Sequence, residues 1–585
     1  MEMLKVSTTP IFPDIPRGQA RKDFQVLVRV EAAAHPKARA PIDVVAVLDV
    51  SGSMNSPVAS SVPEKRRTSR LDVLKSAAKF MVTKLDDGDR VSILAFNDRP
   101  VKERSSSGFL YMSGDGRRSA VKYVDQLQAR GGTSLVPALE EAVKILDGRP
   151  GLDGRNRLGF IVLLTDGEDT ASGFTWSDRH RVIIRSALSR YPVHSIGLGT
   201  AHDPEALLYM AQESQGSYSF VDDENMDKMA GALAICLGGL TTIVAANTRL
   251  VLAVEQQHNG VRIRRVDSGG HDSSSVSCGG GASCEVAVGV LYAGSAKHFV
   301  VHLDVPAMSP SPTVVDHQQR LLTVGYSYRS QHQVVQVQLA GEEDVFVERT
   351  PDVAVGCGRQ QQLQALLPSP VVLQHMVRFE LLEVVSSSLV RAETTMLKDV
   401  LQLKWEEFRA SHQFWGGLDL SGLEDEVVAM VSRLRTTGAA AYVYAWVSSH
   451  QMQQATSMGS PETVVAEFLT PAMRLMLEEA HNIVPSTLHQ AADTTTAAAG
   501  VSLGCSAAFE AMDRRLELWS KVKRDVQHLM FEHGDGGEEH LASFFHEASL
   551  DAIDRAMHRD IYLATVYTSK QRRCNSGAGE RWQLD

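Results

Sequence analysis

The run Val44-Val45-Ala46-Val47-Leu48 puts five apolar residues in succession, three of them valine, with no polar side to turn toward water. A short run of this kind predicts a strand buried on both faces, which implies a parallel sheet covered by helices on either side. The strand leads directly into Asp49-Val50-Ser51-Gly52-Ser53, so a carboxylate and two hydroxyls arrive at the carboxyl edge of that sheet. Open α/β folds bind their ligands at this edge. Alternate residues of an extended segment face the same way, so the Asp-x-Ser-x-Ser spacing predicts that the three side chains converge on one ion. In isolation such a string is as readily a turn or a helix cap.

Two distant stretches add to it. Gly131-Gly132-Thr133-Ser134 precedes an amphipathic helix marked by Leu135, Ala138, Leu139, Ala142, Val143 and Leu146. Thr165-Asp166-Gly167 follows a second apolar run, Phe160-Ile161-Val162-Leu163-Leu164. With these residues in place the chain resembles the von Willebrand factor type A family over roughly residues 42–242. The resemblance includes the family's metal-ion-dependent adhesion site and maps residue by residue onto Asp49, Ser51, Ser53, Thr133 and Asp166. It implies that Ser51, Ser53 and Thr133 bind an ion directly or nearly so. Asp49 and Asp166 would then act largely through water, and a carboxylate from a partner protein would complete the shell. Five oxygen donors without sulfur or imidazole suit a hard cation, so Mg²⁺ is the expected ion, with Ca²⁺ or Mn²⁺ as second choices.

The rest of residues 42–242 alternates strands and helices: helix 70–85, strand 90–97, helix 119–127, helix 179–189, strand 193–198, helix 204–213 and strand 218–221. Such alternation predicts a doubly wound, mostly parallel sheet. Before it, Phe24 to Val30 alternates like a half-buried strand. After it, residues 249–254, 286–291, 299–303 and 333–339 read as strands of an antiparallel β-sandwich. A sandwich tolerates a domain inserted in one of its loops, so the expectation is an α/β domain inserted in a β-sandwich that recruits residues 1–41. The sandwich is expected over 243–355 and a helical region over 365–485, with helices at 371–389, 392–411, 423–434 and 461–482. A Thr/Ala/Ser/Gly-rich linker is expected at 486–506, further helices over 507–570 and a flexible tail over 571–585. This layout resembles a group of plant-type von Willebrand A proteins, with Ala439–Leu469 similar to part of their carboxyl-terminal domain. Relatives in that group carry a zinc-binding RING and act as ubiquitin ligases. No such cysteine/histidine array occurs here, so ligase activity is not expected to carry over.

Composition narrows the function. With 585 residues, 43% hydrophobic and 22% charged, the chain is a multidomain globular protein. A net charge of −11 without a basic stripe argues against nucleic acid as a partner. No apolar stretch approaches the ~18 residues that span a bilayer, and the first residues, Met1-Glu2-Met3-Leu4-Lys5, lack an apolar signal core. Six scattered cysteines form no Cys-x-x-Cys pair, and none of the eight asparagines opens a glycosylation sequon. A cytoplasmic protein is the expectation.

Four other features are weaker. Gly197-Leu198-Gly199 lacks the third glycine and the lysine of a phosphate loop. Lys65 to Ser69 reads as a solvated basic loop. His533, His540 and His546 do not complete a His-Glu-x-x-His zinc motif, and Cys278 and Cys284 lie in a Gly/Ser-rich loop as free thiols. The expected function is a non-enzymatic interaction module that captures an Asp or Glu side chain of a partner through Mg²⁺. Two alternatives stand beside it: a RING-less adaptor acting with related ubiquitin ligases, and a metal-dependent hydrolase, for which no positioned base, nucleophile or second metal is evident.

Overall fold

Three strands precede the buried run: β1 (Leu4–Pro10), β2 (Asp14–Pro16) and β3 (Arg21–Ala32). A computed structural model describes residues 3–34, 39–58, 68–149, 157–167, 190–254, 260–271, 273–274, 282–308, 318–330, 338–350, 367–390, 394–412, 418–434 and 438–481. All of them lie within one unit, Met1–Ser486. The expected helix 179–189, the basic loop around Lys65, Cys278 and everything expected beyond residue 485 lie outside the described residues.

The α/β part runs β4 (Ile42–Asp49), α1 (Arg70–Lys84), β5 (Arg90–Phe96), β6 (Leu110–Tyr111), α2 (Gly114–Asp125), α3 (Leu135–Asp147), β7 (Leu158–Thr165), β8 (Val193–Leu198), α4 (Pro204–Ser214), β9 (Ser217–Val221) and α5 (Met229–Leu240). Every residue of β4 is buried, as an apolar run with helices on both faces requires. β4 pairs in parallel with β7 on one side and β5 on the other. The chain leaves β4 toward β5 and leaves β7 toward β8, so the strand order reverses between β4 and β7. α1 starts where Ser69 and Asp72 form a reciprocal capping box. α2 begins five residues before the predicted helix, because Gly114-Asp115-Gly116, which reads as a turn, is already helical behind Ser113.

Two further sheets form from β10 (Ile243–Ala253), β11 (Arg262–Asp267), β12 (Ser273–Ser274), β13 (Ser283–Tyr292), β14 (Ala296–Val305), β15 (Gln318–Ser330) and β16 (Gln338–Thr350). One sheet has the order β1-β3-β14-β11 and the other β12-β13-β10-β15-β16-β2. β3 pairs antiparallel with β14 over Arg21–Glu31 and Ala296–Val305. Strands before and after the α/β part therefore share one sheet, and the doubly wound sheet is inserted in the β-sandwich. Sequence pattern missed β11 and β15, and of the expected strand 333–339 only its last two residues belong to β16. β15 mixes buried and half-exposed positions irregularly, which blurs the period-2 signal.

The helices that follow are α6 (Pro370–Val390), α7 (Thr394–His412), α8 (Ser421–Arg433) and α9 (Ala439–Met452). They are succeeded by a two-residue strand β17 (Met458–Gly459) and α10 (Pro471–His481). The helix expected from 461 begins only at Pro471, after a 3₁₀ turn at Ala466–Phe468. β17 pairs in parallel with β9. The Tyr218 N–H donates to the Ser448 hydroxyl at 2.8 Å, and the Asp222 N–H donates to the Gly459 carbonyl at 2.9 Å. The open edge of the seven-stranded sheet is thus covered, which removes a template for unwanted strand pairing. On the far side α5, apolar all round, is buried against α10. A β-carbon added at Gly238 would lie 2.6 Å from the Cα of Met473.

The amino end of β4 carries an ionic node. Asp43, fully buried, accepts from Arg90 (Nε 2.8 Å, Nη2 2.7 Å), Arg157 (Nε 2.7 Å) and Arg149 (Nη1 3.1 Å). Burial pushes its carboxyl up, but Arg90 and Arg157 outweigh that and hold it below the usual range. Removing the carboxylate would strand three guanidinium groups. Asp43→Asn is therefore expected to lower unfolding free energy by about 3–5 kcal/mol, read from denaturant midpoints. Gly238→Ala is expected to cost about 1–3 kcal/mol in the same assay, because backbone rather than a movable side chain fills the space.

Candidate metal centre

Asp49 closes β4 and Asp166 follows β7, so the two carboxylates flank the point where the strand order reverses. Between them the chain turns. Ser51 is extended (φ −63°, ψ 168°) and opens a short 3₁₀ turn, Gly52–Asn55. The three motif side chains therefore do not gather by strand alternation, as the spacing predicted. They gather because the backbone coils at Gly52 and brings Ser53 back over Ser51. The two hydroxyls lie 2.9 Å apart, and the Ser53 hydroxyl donates to Asp166 Oδ1 at 2.6 Å.

The Thr133 loop is held to this turn by backbone. The Gly52 N–H donates to the Gly131 carbonyl and the Arg130 N–H to the Val50 carbonyl, both at 2.8 Å. Gly131 adopts φ +82°, a conformation that favours glycine. Ser134 N–H donates to the Asn97 carbonyl at 2.8 Å, and Gly132 N–H donates to Asp98 Oδ1 at 3.0 Å. Thr133, buried, meets the loop after β7. A β-carbon at Gly167 would stand only 2.7 Å from its hydroxyl oxygen, so the close approach requires glycine there. All five predicted residues thus come together from three loops at one sheet edge.

Three residues that the motif did not reveal also belong to this edge. Thr165, opposite the end of β4, donates its hydroxyl to Asp49 Oδ2 at 2.5 Å, and the Ser51 N–H donates to Asp49 Oδ1 at 2.8 Å. Arg70, the first residue of α1, spans two carboxylates: Nη1 lies 2.8 Å from Asp166 Oδ2 and Nη2 lies 2.5 Å from Asp223 Oδ1. Asp223 in turn accepts from the Thr200 N–H and hydroxyl. Thr165 was legible as a hydroxyl beside Asp166. Arg70 and Asp223 were not, since they lie 96 and 57 residues from Asp166 with no motif of their own.

Charge compensation sets Asp49 apart. Five aspartates are buried among the described residues, and four of them meet an arginine. Asp43 has its three, Asp89 has Arg39 at 2.6 Å, Asp166 has Arg70, and Asp222 has Arg433 at 3.6 Å. Asp49 pairs with no cationic side chain among the described residues and is held by neutral donors alone. Burial raises its carboxyl to about 6, against the lowering effect of the Thr165 and Ser51 hydrogen bonds. A buried carboxylate without a cation, facing three hydroxyls and a second carboxylate, is a donor set that fits a hard divalent ion.

The sign of the resulting pH dependence follows from that shift. The folded protein holds a proton on Asp49 up to about pH 6, whereas the unfolded chain releases it near 3.8. In the metal-free protein Asp49 therefore erodes stability as pH rises through that window, and the penalty is complete above it. Asp49→Asn removes the charge, keeps an acceptor oxygen for the Ser51 N–H and presents an NH2 donor toward which the Thr165 hydroxyl can turn as acceptor. It is expected to stabilise the metal-free protein at pH 7.5 by up to about 3 kcal/mol, and the gain should vanish near pH 4. Thermal melting of the two proteins across that range is the test.

Comparison with known proteins agrees with this geometry. Residues 42–220 match the profile of the von Willebrand factor type A domain. The chain is 29% identical over 276 residues to the E3 ubiquitin-protein ligase WAV3 of Arabidopsis thaliana, a match covering 46% of this chain and 32% of that protein. It is also 29% identical over 218 residues to the Arabidopsis ligase WAVH1, covering 34% and 28%. The chain thus matches about a third of the length of these plant relatives. Among solved structures, the von Willebrand factor type A protein from Catenulispora acidiphila has the same fold over 76% of this chain and 96% of its own (TM-score 0.52, 16% identity). That coverage extends well beyond the α/β part. The chain carries a von Willebrand factor type A domain over residues 42–220, within a longer architecture related in sequence to the plant ligases.

Proposed function

We propose that this protein is a non-enzymatic interaction module whose strand-edge site holds Mg²⁺ and captures an aspartate or glutamate of a partner protein. The charge of Asp49, which no cationic side chain among the described residues offsets, carries the reading: each of the other buried aspartates described has its arginine. Ser51, Ser53 and Thr133 would hold the ion, while Asp49 and Asp166 neutralise it and orient the hydroxyls. Ca²⁺ or Mn²⁺ would suit the same oxygen set less well. Because the nearest donors are hydroxyls and Arg70 already offsets Asp166, a bound ion would keep enough charge to attract an anionic side chain.

Similarity to two plant ubiquitin ligases favours a particular setting, an adaptor or regulator that works beside such ligases. Intracellular action would follow from that setting. No helix among the described residues is long and apolar enough to cross a membrane.

Calorimetric titration of the chelator-stripped protein with Mg²⁺ tests the site. Ser51→Ala and Thr133→Ala are expected to weaken Mg²⁺ binding by about tenfold or more while thermal melting stays nearly unchanged, since neither side chain fills core volume. Equal affinity in wild type and both variants would exclude these ligands. Capture of a related ligase should require Mg²⁺ and be lost in excess chelator. Capture that survives chelation would move the interface away from the strand edge.

A further inference from the structure

A second cluster of ligand-type side chains, sharing no residue with the strand-edge site, sits where the sandwich meets the helices. His298 lies on β14, His375 on α6, and Glu467 in the 3₁₀ turn Ala466–Phe468 that leads to α10. One potential ligand atom from each lies within 4.8 Å of the others. The two imidazoles are buried and stacked, with ring centroids 3.9 Å apart, and Glu467 is partly open to solvent.

Three observations mark this cluster as more than packed core. First, Nδ1 of His298 and Nδ1 of His375 are both buried without a hydrogen-bond partner. Buried ring nitrogens normally find one, so two orphans side by side call for a shared ligand. Second, the His298 backbone is clamped. Gln453, the left-handed residue that ends α9, accepts from its N–H and donates to its carbonyl, both at 2.8 Å. Third, the charges around the cluster are not uniformly positive. Arg378, one turn beyond His375, is offset by Glu426 and Glu467, and Arg29 is paired with Glu31 at 3.1 Å. Burial, and next the field of Arg378, keep the His298 imidazole unprotonated, so its lone pair is available.

We propose that His298, His375 and Glu467 form a binding site for a divalent ion of the Zn²⁺ class, with water in the fourth position. Two imidazoles and one carboxylate are a recurrent zinc donor set, and they differ in kind from the all-oxygen strand-edge set. Zinc–ligand bonds of about 2.0–2.1 Å place tetrahedral ligand atoms roughly 3.3 Å apart. Binding therefore requires Glu467 to close in and the stacked rings to turn apart. Glu467 Oε1 already stands 3.9 Å from His298 Nδ1 on a solvent-facing side chain that is free to make that move. A bound ion would tie β14, α6 and the segment leading to α10 together, three elements distant in sequence.

The full-length, chelator-stripped protein is titrated with Zn²⁺ by calorimetry and with Co²⁺ by visible absorption, beside Glu467→Gln, His375→Gln and Asp49→Asn. Glu467→Gln is near-isosteric and partly exposed, so it tests the site without threatening the fold. The expected result is one Zn²⁺ per chain and a tetrahedral Co²⁺ spectrum. Both should be weakened about tenfold or more in Glu467→Gln and His375→Gln, and both should persist in Asp49→Asn. Equal Zn²⁺ affinity in wild type and Glu467→Gln, binding lost only in Asp49→Asn, or no binding at all would each overturn the proposal. Thermal stabilisation by inorganic phosphate in place of Zn²⁺ would also overturn it, by making the cluster an anion site built on Arg378.

Discussion

β4 carries a buried carboxylate at each end, and the structure resolves the two in opposite ways. Asp43 at the amino end is surrounded by Arg90, Arg149 and Arg157. Asp49 at the carboxyl end has, among the described residues, neutral donors and no arginine. The strand between them is apolar and buried throughout, so neither charge can reach water by a small adjustment. Burying an ion is costly unless it is paired. The arginine node discharges that cost at one end, pinning β4, β5 and the start of β7. At the other end the cost remains open among the described residues, and that open balance supports the proposal of a cation site at the strand edge.

The elements around the sheet reinforce its rigidity. The 448–459 segment lines the outer edge of β9 with backbone and serine hydroxyls, so the sheet ends against its own chain. α5 lies buried against α10 and against Tyr292 of the sandwich, at spacings only glycine permits at Gly238 and Gly239. Arg70 links the strand-edge loop after β7 to the loop after β9, since it bonds both Asp166 and Asp223. The strand-edge loops are thus attached to a frame built from all parts of residues 3–481. Such support suits a recognition site, whose hydroxyls must be held in place before the ligand arrives.

Much of this was legible in the residues. Apolar runs at 44–48 and 160–164 declare doubly buried strands because no alternation is present. The strand–helix alternation identifies the inserted domain, and the five candidate residues could be named because their motif resembles that of the von Willebrand factor type A family. Some elements were not legible. β15 follows no clean period, α5 is uniformly apolar and so carries no face, and α2 starts within a glycine-rich stretch that reads as a turn. The reason given for convergence of Asp49, Ser51 and Ser53 was also wrong: a 3₁₀ turn, not strand pleating, gathers them.

By itself the sequence determined which residues are buried strand, which oxygen ligands stand at strand ends, and therefore the fold class and the candidate ligand set. These are local properties, set by hydrophobic period and by residue type at element boundaries. Only the tertiary structure decided which charges are compensated. Arg70 against Asp166 and three arginines against Asp43 are pairings between residues tens to over a hundred positions apart, and among the described residues no arginine meets Asp49. The same holds for His298, His375 and Glu467, which no spacing relates. Electrostatic balance depends on distance in space and on exclusion of water, and neither exists until the chain has packed.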